Sequence, residues 1–415
     1  MTPATPGPSA PSGLQANVIG FAIRFRGIVV ALALLLLGYG ILSVIRAKYD
    51  VFPEFAPPQV GIQTEAPGLT PEQIEVLVTQ PIENAINGVP GVQSLRSTSI
   101  QGLSVITVIF APGSDIYRDR QVVAERLAVA AQQLPAETGP PGMTPLTSST
   151  STILVAGLTS DTHSLMDLRT IADWTLRLRL LAVPGVAKVA VFGGDLRSLQ
   201  VQVHSDQLIR YNLTLNDVLT VAKKATGVRG AGFIDTANQR IVFQTEGQSL
   251  QAEDVAHTVL LTQGASSVLL GDVAEVVYAP EPPIGGATIM GKPGVMLNVS
   301  GQYGANTVEV TQHVEEALAS LRPGLEKAGI KFHGDLFRPA NFINTATNNV
   351  RNSLLLGGIL VIVVLFLFLF DLRTAAIACT AIPLSLLAAV IILDALGQSL
   401  NTMTLGGLAI AIGEV

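Results

Sequence analysis

The feature that most constrains this chain is the placement of its charge-free apolar runs. Gly27 to Ile45 is one, Ser353 to Phe370 and Thr374 to Leu393 are two more, and some three hundred mixed-character residues lie between the first and the second. A helix rises about 1.5 Å per residue and a bilayer core is about 30 Å thick, so runs of this length are candidate membrane spans. Only Asp371, Leu372 and Arg373 separate the second run from the third, which forces an antiparallel helical hairpin. A fourth apolar stretch opens at Thr404 and is cut mid-helix at Val415. The expectation is a chain with transmembrane helices at 27–45, 353–370 and 374–393, the truncated start of a fourth at 404–415, and a large domain looped out between the first two.

Composition agrees, because apolar residues make up 48% of the chain and charged residues only 13%. The net charge of −6 is dispersed, without the Lys/Arg clusters of a phosphate-binding face, so nucleic acid is not an expected partner. A single cysteine, Cys379, allows neither an intrachain disulfide nor a cysteine-based zinc site. Arg24 and Arg26 ahead of the first run argue for a cytoplasmic amino terminus, Arg46 and Lys48 on its other flank nearly cancel that bias, and Arg373 in the hairpin favours the same answer, with residues from about 46 to 350 then expected outside the cytoplasm. The first run is long and lacks an A-x-A cleavage site, so it reads as an uncleaved anchor. Asp394 then falls at the outer end of the third helix, where the simple reading is interfacial solvation. Residues 1–16, rich in Pro, Ser, Ala and Gly, read as a disordered tail.

The exported stretch shows an internal repeat. Thr70-Pro71-Glu72-Gln73 is a capping box with proline at the first helical position, and Ile74, Leu77, Val78, Ile82 and Ile86 follow as a stripe, with a kink or split expected at Pro81. A strand is expected at Val105 to Phe110, then a helix with Ile116, Val123, Leu127, Ala130 and Leu134 on one face. The pattern recurs with a strand from Thr152 to Leu158 and a helix capped by Ser164 and Asp167, whose inner face is read as Leu168, Ile171, Leu178 and Leu181. Val89-Pro90-Gly91-Val92 returns as Val183-Pro184-Gly185-Val186, each between a helix end and a strand start, as in a duplicated unit. A later helix capped by Asn306 carries Val310, Val314, Ala317, Leu318 and Leu321, and Ile330 to His333 closes the unit as a strand. Strand signals at Leu199 to Val203 and Ile241 to Gln244, and a helix from Thr214, mark 195–280 as an inserted subdomain expected to stand farthest from the membrane.

Specific residues carry a family resemblance. Phe52-Pro53-Glu54-Phe55-Ala56-Pro57-Pro58, Thr64 to Leu69, Val78 to Glu83, the first Val-Pro-Gly-Val, Ala124-Glu125-Arg126-Leu127, Ala381-Ile382-Pro383-Leu384-Ser385 and Leu400 to Leu408 resemble the resistance-nodulation-division superfamily, in particular its heavy-metal efflux branch. One departure is Pro53-Glu54-Phe55, where many metal exporters of that branch read Pro-Asp and a small residue. The resemblance implies an α+β membrane protein: transmembrane α-helices, ferredoxin-like porter subdomains at 46–145 and at 146–194 with 281–345, and a docking subdomain at 195–280. It further implies a secondary active transporter rather than an enzyme, in the bacterial inner membrane among its lipids. That transporter would be a homotrimer working by proton antiport with a periplasmic adaptor protein and an outer-membrane channel, and without a cofactor.

The residues that could carry this chemistry are few. Met143, Met166, Met290, Met296 and Met403 show no i,i+4 or i,i+2 pairing and read as core fillers. His163, His204, His257, His313 and His333 show no ligand spacing, so no metal site is assignable. Glu414 is the one carboxylate inside the fourth helix, and an intramembrane acid is a functional hypothesis by default. In relatives the proton-carrying aspartates lie just beyond a segment like 409–415, so the resemblance places the relay past Val415, with Glu414 as the local candidate. Gly406, Gly407 and Gly413, with Ala409 and Ala411, form a small-residue stripe suited to close helix packing. Alternatives are an exporter of organic compounds or lipids on the same scaffold and, in another class, an anchored receptor or a protein-export auxiliary. The tight hairpin at 371–373 argues against the receptor, and an auxiliary would not need a docking insertion near 195–280, so its presence in a structure separates the two.

Overall fold

The computed structural model describes residues 20–49, 56–226, 230–235, 239–244, 251–263, 266–283, 285–369 and 372–414. The tail at 1–16, the Pro53-Glu54-Phe55 departure, Asp371 and Val415 lie outside the described residues. The chain enters through helix α1, Arg26–Arg46, which among the described residues is the one helix long and apolar enough to cross a membrane; Thr380–Ala395 is a shorter apolar stretch.

Two βαββαβ paths follow. In the first, β1 (Gln59–Glu65) leads to α2, which runs as Pro71–Ile74, a π-helical Glu75–Thr79 and Gln80–Ile86. Then come β2 (Val92–Ile100), β3 (Leu103–Phe110), α3 (Ile116–Ala130) and the short β4 (Gly142–Met143). The sheet order is β2-β3-β1-β4, all antiparallel, and Val60, Ile62, Ile106, Val108 and Phe110 bury one face under Ile74, Val78, Ile82 and Ile86 of α2 and Val123 and Leu127 of α3. The alternation within β3 is strict, as a sheet with one covered face requires.

The second path starts with β5 (Thr147–Ser160), α4 (Leu165–Ile171, π-helical Ala172–Leu176, Arg177–Leu181) and β6 (Val186–Gly193). Here the chain departs through β7 (Arg197–Val203), builds a helix α5 (Leu215–Thr226) and returns through β8 (Ala274–Pro280). Strands β7 and β8 pair antiparallel from Arg197↔Pro280 to Val203↔Ala274, so the excursion leaves and rejoins the sandwich at one place. It has its own apolar cluster of Val218, Val255, Val268, Leu270, Val273 and Ala274. The path then resumes with β9 (Lys292–Gln302), α6 (Thr307–Lys327) and β10 (Ile330–Phe337). Its sheet reads β6-β9-β5-β10, the order of the first sandwich strand for strand, with Ala287–Ile289 prolonging the β6 edge. This is the topology of a split βαβ sandwich written twice.

Local chemistry explains much of the match. Thr70 and Ser164 both close capping boxes, with Gln73 and Asp167. Gly91 and Gly185 have φ of +81° and +87°, and their carbonyls accept from Ala111, just past β3, and from Gln302, the last residue of β9, at 2.9 and 2.8 Å. A side chain at that φ is strained, which is why the turn of each Val-Pro-Gly-Val carries glycine.

The π turns change what the stripes predict. Gln80 N–H donates to Glu75 O and Arg177 N–H to Ala172 O, each five residues back. In α2 the widened turn lies beside Pro81, so the helix passes the proline without breaking. In α4 the extra residue rotates the following turn. The buried residues are Leu168, Ala172, Leu176 and Leu180, while Leu178 and Leu181, read from the sequence as inner, are 53% and 38% exposed. Leu77 is likewise turned outward. The closing strand runs to Phe337, past His333, and α6 continues through Pro323 to Lys327.

From Arg338 the chain turns directly into α7 (Pro339–Leu369), followed by α8 (Leu372–Ala395) and α9 (Thr402–Glu414). Arg338 forks onto Glu315 of α6 through Nε and an Nη at 2.6 and 2.9 Å, so the start of α7 is tied to the second sandwich. This ion pair is bidentate, the geometry in which arginine holds carboxylate best.

Candidate functional site

Gly406 and Gly407, expected to line a close helix contact, face open space: a Cβ built on either meets nothing within 4 Å. Gly413 and Glu414 close α9 in helical backbone, and their surroundings lie outside what the structure describes. The methionines and histidines remain scattered. Met290 is exposed in the turn before β9, and His333 Nε2 and Thr159 Oγ1 are 3.0 Å apart across the sheet. Among the described residues no three His, Cys, Asp or Glu side chains converge.

What the structure does bring together is a joint at the start of α9. Asn401 is fully buried and caps the helix: its Oδ1 accepts from Met403 N and Thr404 N at 3.0 Å, while its own N–H donates to Thr404 Oγ1 at 2.8 Å. Its Nδ2 donates to Ser399 O at 3.2 Å. The Leu400 to Thr404 motif is therefore first of all a helix cap. Leu400 N–H donates to Lys48 O at 2.9 Å and Leu400 bridges Tyr49 in parallel, fastening the cap to the chain just past α1. Ala47, Val390 and Leu400 bury one another there. Tyr49 donates its hydroxyl to Val44 O at 3.2 Å, and burial pushes the phenol above its ordinary pKa. Asp394 is exposed, and its Oδ2 also accepts from Ser43 at 3.4 Å, which links α8 to α1.

Above this joint lies a cavity of about 700 Å³ between the two sandwiches, with Lys48, Tyr49, Ser114, Ile153, Gln302 and Gln398 in its wall. Ser114 Oγ is buried there without a hydrogen-bond partner. Hydroxyls, amides, one ammonium and apolar side chains make a wall that can hydrogen-bond a neutral or amphipathic molecule. Lys48 and Gly304 both line the cavity, and Lys48 Nζ donates to Gly304 O at 2.8 Å in the turn between β9 and α6. Neither Lys48 nor Ser114 stands out in the sequence, because each is an isolated polar residue without a motif. Only the tertiary meeting of α1, the 397–399 loop and the two sandwiches gives them neighbours.

Comparison with known proteins supplies the family. Residues 18–415 match the AcrB/AcrD/AcrF family. The cation efflux system protein CzcA of Alcaligenes sp. is 33% identical over 405 residues, 95% of this chain and 38% of that protein. The cation efflux system protein CusA of Escherichia coli K12 is 32% identical over 409 residues, 96% of this chain and 38% of its own length. A crystal structure of a heavy metal efflux pump superposes with a TM-score of 0.80 at 26% identity, covering 95% of this chain and 41% of that one. The chain thus spans about 38% of the length of the curated relatives it matches. The resemblance to the heavy-metal efflux branch read from scattered motifs therefore extends along nearly the whole sequence, and the chain belongs to the AcrB/AcrD/AcrF family.

Proposed function

We propose that this chain is part of the inner-membrane subunit of a proton-driven efflux pump that exports heavy-metal cations. The observation that carries this reading is the superposition on a heavy metal efflux pump over 95% of the chain, together with relatives that are named cation efflux proteins at 33% identity. In this reading α1, α7, α8 and α9 lie in the membrane, with spans at 27–45, 353–370 and 374–393 and a fourth beginning at 404. The sandwiches at 46–145 and at 146–194 with 281–345 act as ferredoxin-like porter subdomains in the periplasm, and the excursion at 195–280 as a docking subdomain. The pump is a secondary active transporter that works as a homotrimer with an adaptor and an outer-membrane channel. Gly406, Gly407 and Gly413 then meet helices of the rest of the assembly, and Glu414 lies beside the proton relay.

A second reading, export of organic compounds on the same scaffold, is favoured by the cavity wall of hydroxyls, amides and apolar side chains around Lys48. One experiment separates the two. The natural full-length polypeptide is reconstituted in proteoliposomes with an imposed pH gradient, and uptake of Zn²⁺, Co²⁺ and Cd²⁺ is compared with that of a fluorescent organic cation. Gradient-dependent metal flux supports the first reading; organic flux without metal flux replaces it with the second.

A further inference from the structure

Lys48 touches both the segment that leads into α9 and the second sandwich. Its carbonyl accepts from Leu400 N at 2.9 Å, one residue before the cap Asn401. Its ammonium donates to Gly304 O at 2.8 Å. Gly304 sits at φ +71° in a turn held by Ala305 N–H on Gln302 O at 3.1 Å, and Asn306 immediately caps α6. Farther along α6, Glu315 is gripped by Arg338, the residue that precedes α7. A continuous path of directional bonds thus runs from α9 through Lys48, the 302–305 turn and α6 to α7.

Directional bonds transmit differently from apolar packing. An N–H···O hydrogen bond spans about 2.7–3.2 Å and needs alignment, so a shift of about an ångström breaks it, whereas packed helices can shear past one another by small amounts. We propose that Lys48 is the positioning residue that links movement of the fourth helix to movement of the second sandwich. The inference rests on the transporter reading: α9 is the helix beside which the proton relay is expected, and the second sandwich belongs to the substrate path. Its Nζ–O bond is exposed to water and therefore contributes little to stability, so its loss leaves the fold standing. The bond's value lies in register.

The test uses the full-length protein as wild type, Lys48→Met and Lys48→Arg. Hydrogen exchange reads the amides of 302–308 and 400–405, and proteoliposomes carrying a pH dye and a Zn²⁺ indicator read both fluxes. Lys48→Met is expected to speed exchange in both segments and to lower the Zn²⁺ moved per proton. Lys48→Arg, whose guanidinium still reaches a carbonyl, is expected to restore the ratio. An unchanged ratio in Lys48→Met overturns the proposal. If the wild type moves no Zn²⁺, the transport reading falls by itself, and exchange decides the linkage: faster exchange in both segments supports it, and any other pattern overturns it.

Discussion

A Cβ placed on Gly40 of α1 would lie 2.6 Å from the Cβ of Leu387 on α8. The neighbour is the rigid root of a side chain, so it cannot swing aside, and the two helices approach as closely as they do because position 40 has no side chain. Gly38, one turn-half away, meets nothing within 4 Å. Gly40→Val is expected to lower stability against denaturing detergent by about 1–3 kcal/mol, the usual cost of overpacking, and Gly38→Val to be near neutral. Equal effects at the two positions would contradict the packing.

The duplicated turns permit an internal comparison. Both Gly91 and Gly185 have positive φ, but a Cβ on Gly91 meets only Phe110 at 3.8 Å, whereas one on Gly185 collides with the Val310 side chain. Gly91→Ala is expected to cost about 1–2 kcal/mol for backbone strain alone. Gly185→Ala adds an overpacking cost of about 1–3 kcal/mol, and pairing it with Val310→Ala recovers that part. Denaturant unfolding of Gly91→Ala, Gly185→Ala, Val310→Ala and the Gly185→Ala/Val310→Ala pair measures the difference.

The phase shift in α4 is tested by two leucines two residues apart. Leu180 is fully buried and Leu178 is 53% exposed, the reverse of a straight helical stripe. Leu180→Ala is expected to cost about 2–5 kcal/mol and Leu178→Ala under about 0.5 kcal/mol.

Asp161, in the turn after β5, accepts from Lys292 and Lys331 at 2.6 and 3.3 Å, and these two lysines hold its carboxyl below the usual carboxylate range. A depressed carboxyl contributes stability above its unfolded pKa and loses it as pH falls through the folded one. Melting temperatures of wild type and Asp161→Asn are therefore expected to differ at neutral pH and to converge on acidification below the normal carboxylate range. Because the group is exposed, salt should shrink the neutral-pH gap.

Some of this was legible in the sequence because its causes are local. The capping boxes at Thr70 and Ser164 and the cap at Asn306 are written in three or four consecutive residues, and the structure has all three. The repeated Val-Pro-Gly-Val was legible for the same reason. The inner face of α4 was not, since a π turn follows from how a helix seats on its sheet, and Leu178 and Leu180 are chemically the same. Likewise nothing local separates Gly40, which is pressed against a neighbour, from Gly406 and Gly407, which meet open space. Of the site, the family motif at Leu400 to Thr404 was visible, but its partner Lys48, some 350 residues earlier, was not.

The excursion between β6 and β9 has a kinetic side. In the first sandwich, β2 and β3 are joined by a two-residue turn, Gln101 and Gly102, so the sheet closes on near neighbours. In the second, β6 ends at Gly193 and its ladder partner begins at Lys292, so β5 and β6 leave the ribosome long before the strand that joins them. Pairings between distant segments form late, and unpaired edges left waiting are sites of misassociation. The two sandwiches share one topology, yet their sheets can be completed only in sequence: the first once β4 has been made, the second after the entire 195–280 excursion has been synthesised and its base zipped by β7 and β8.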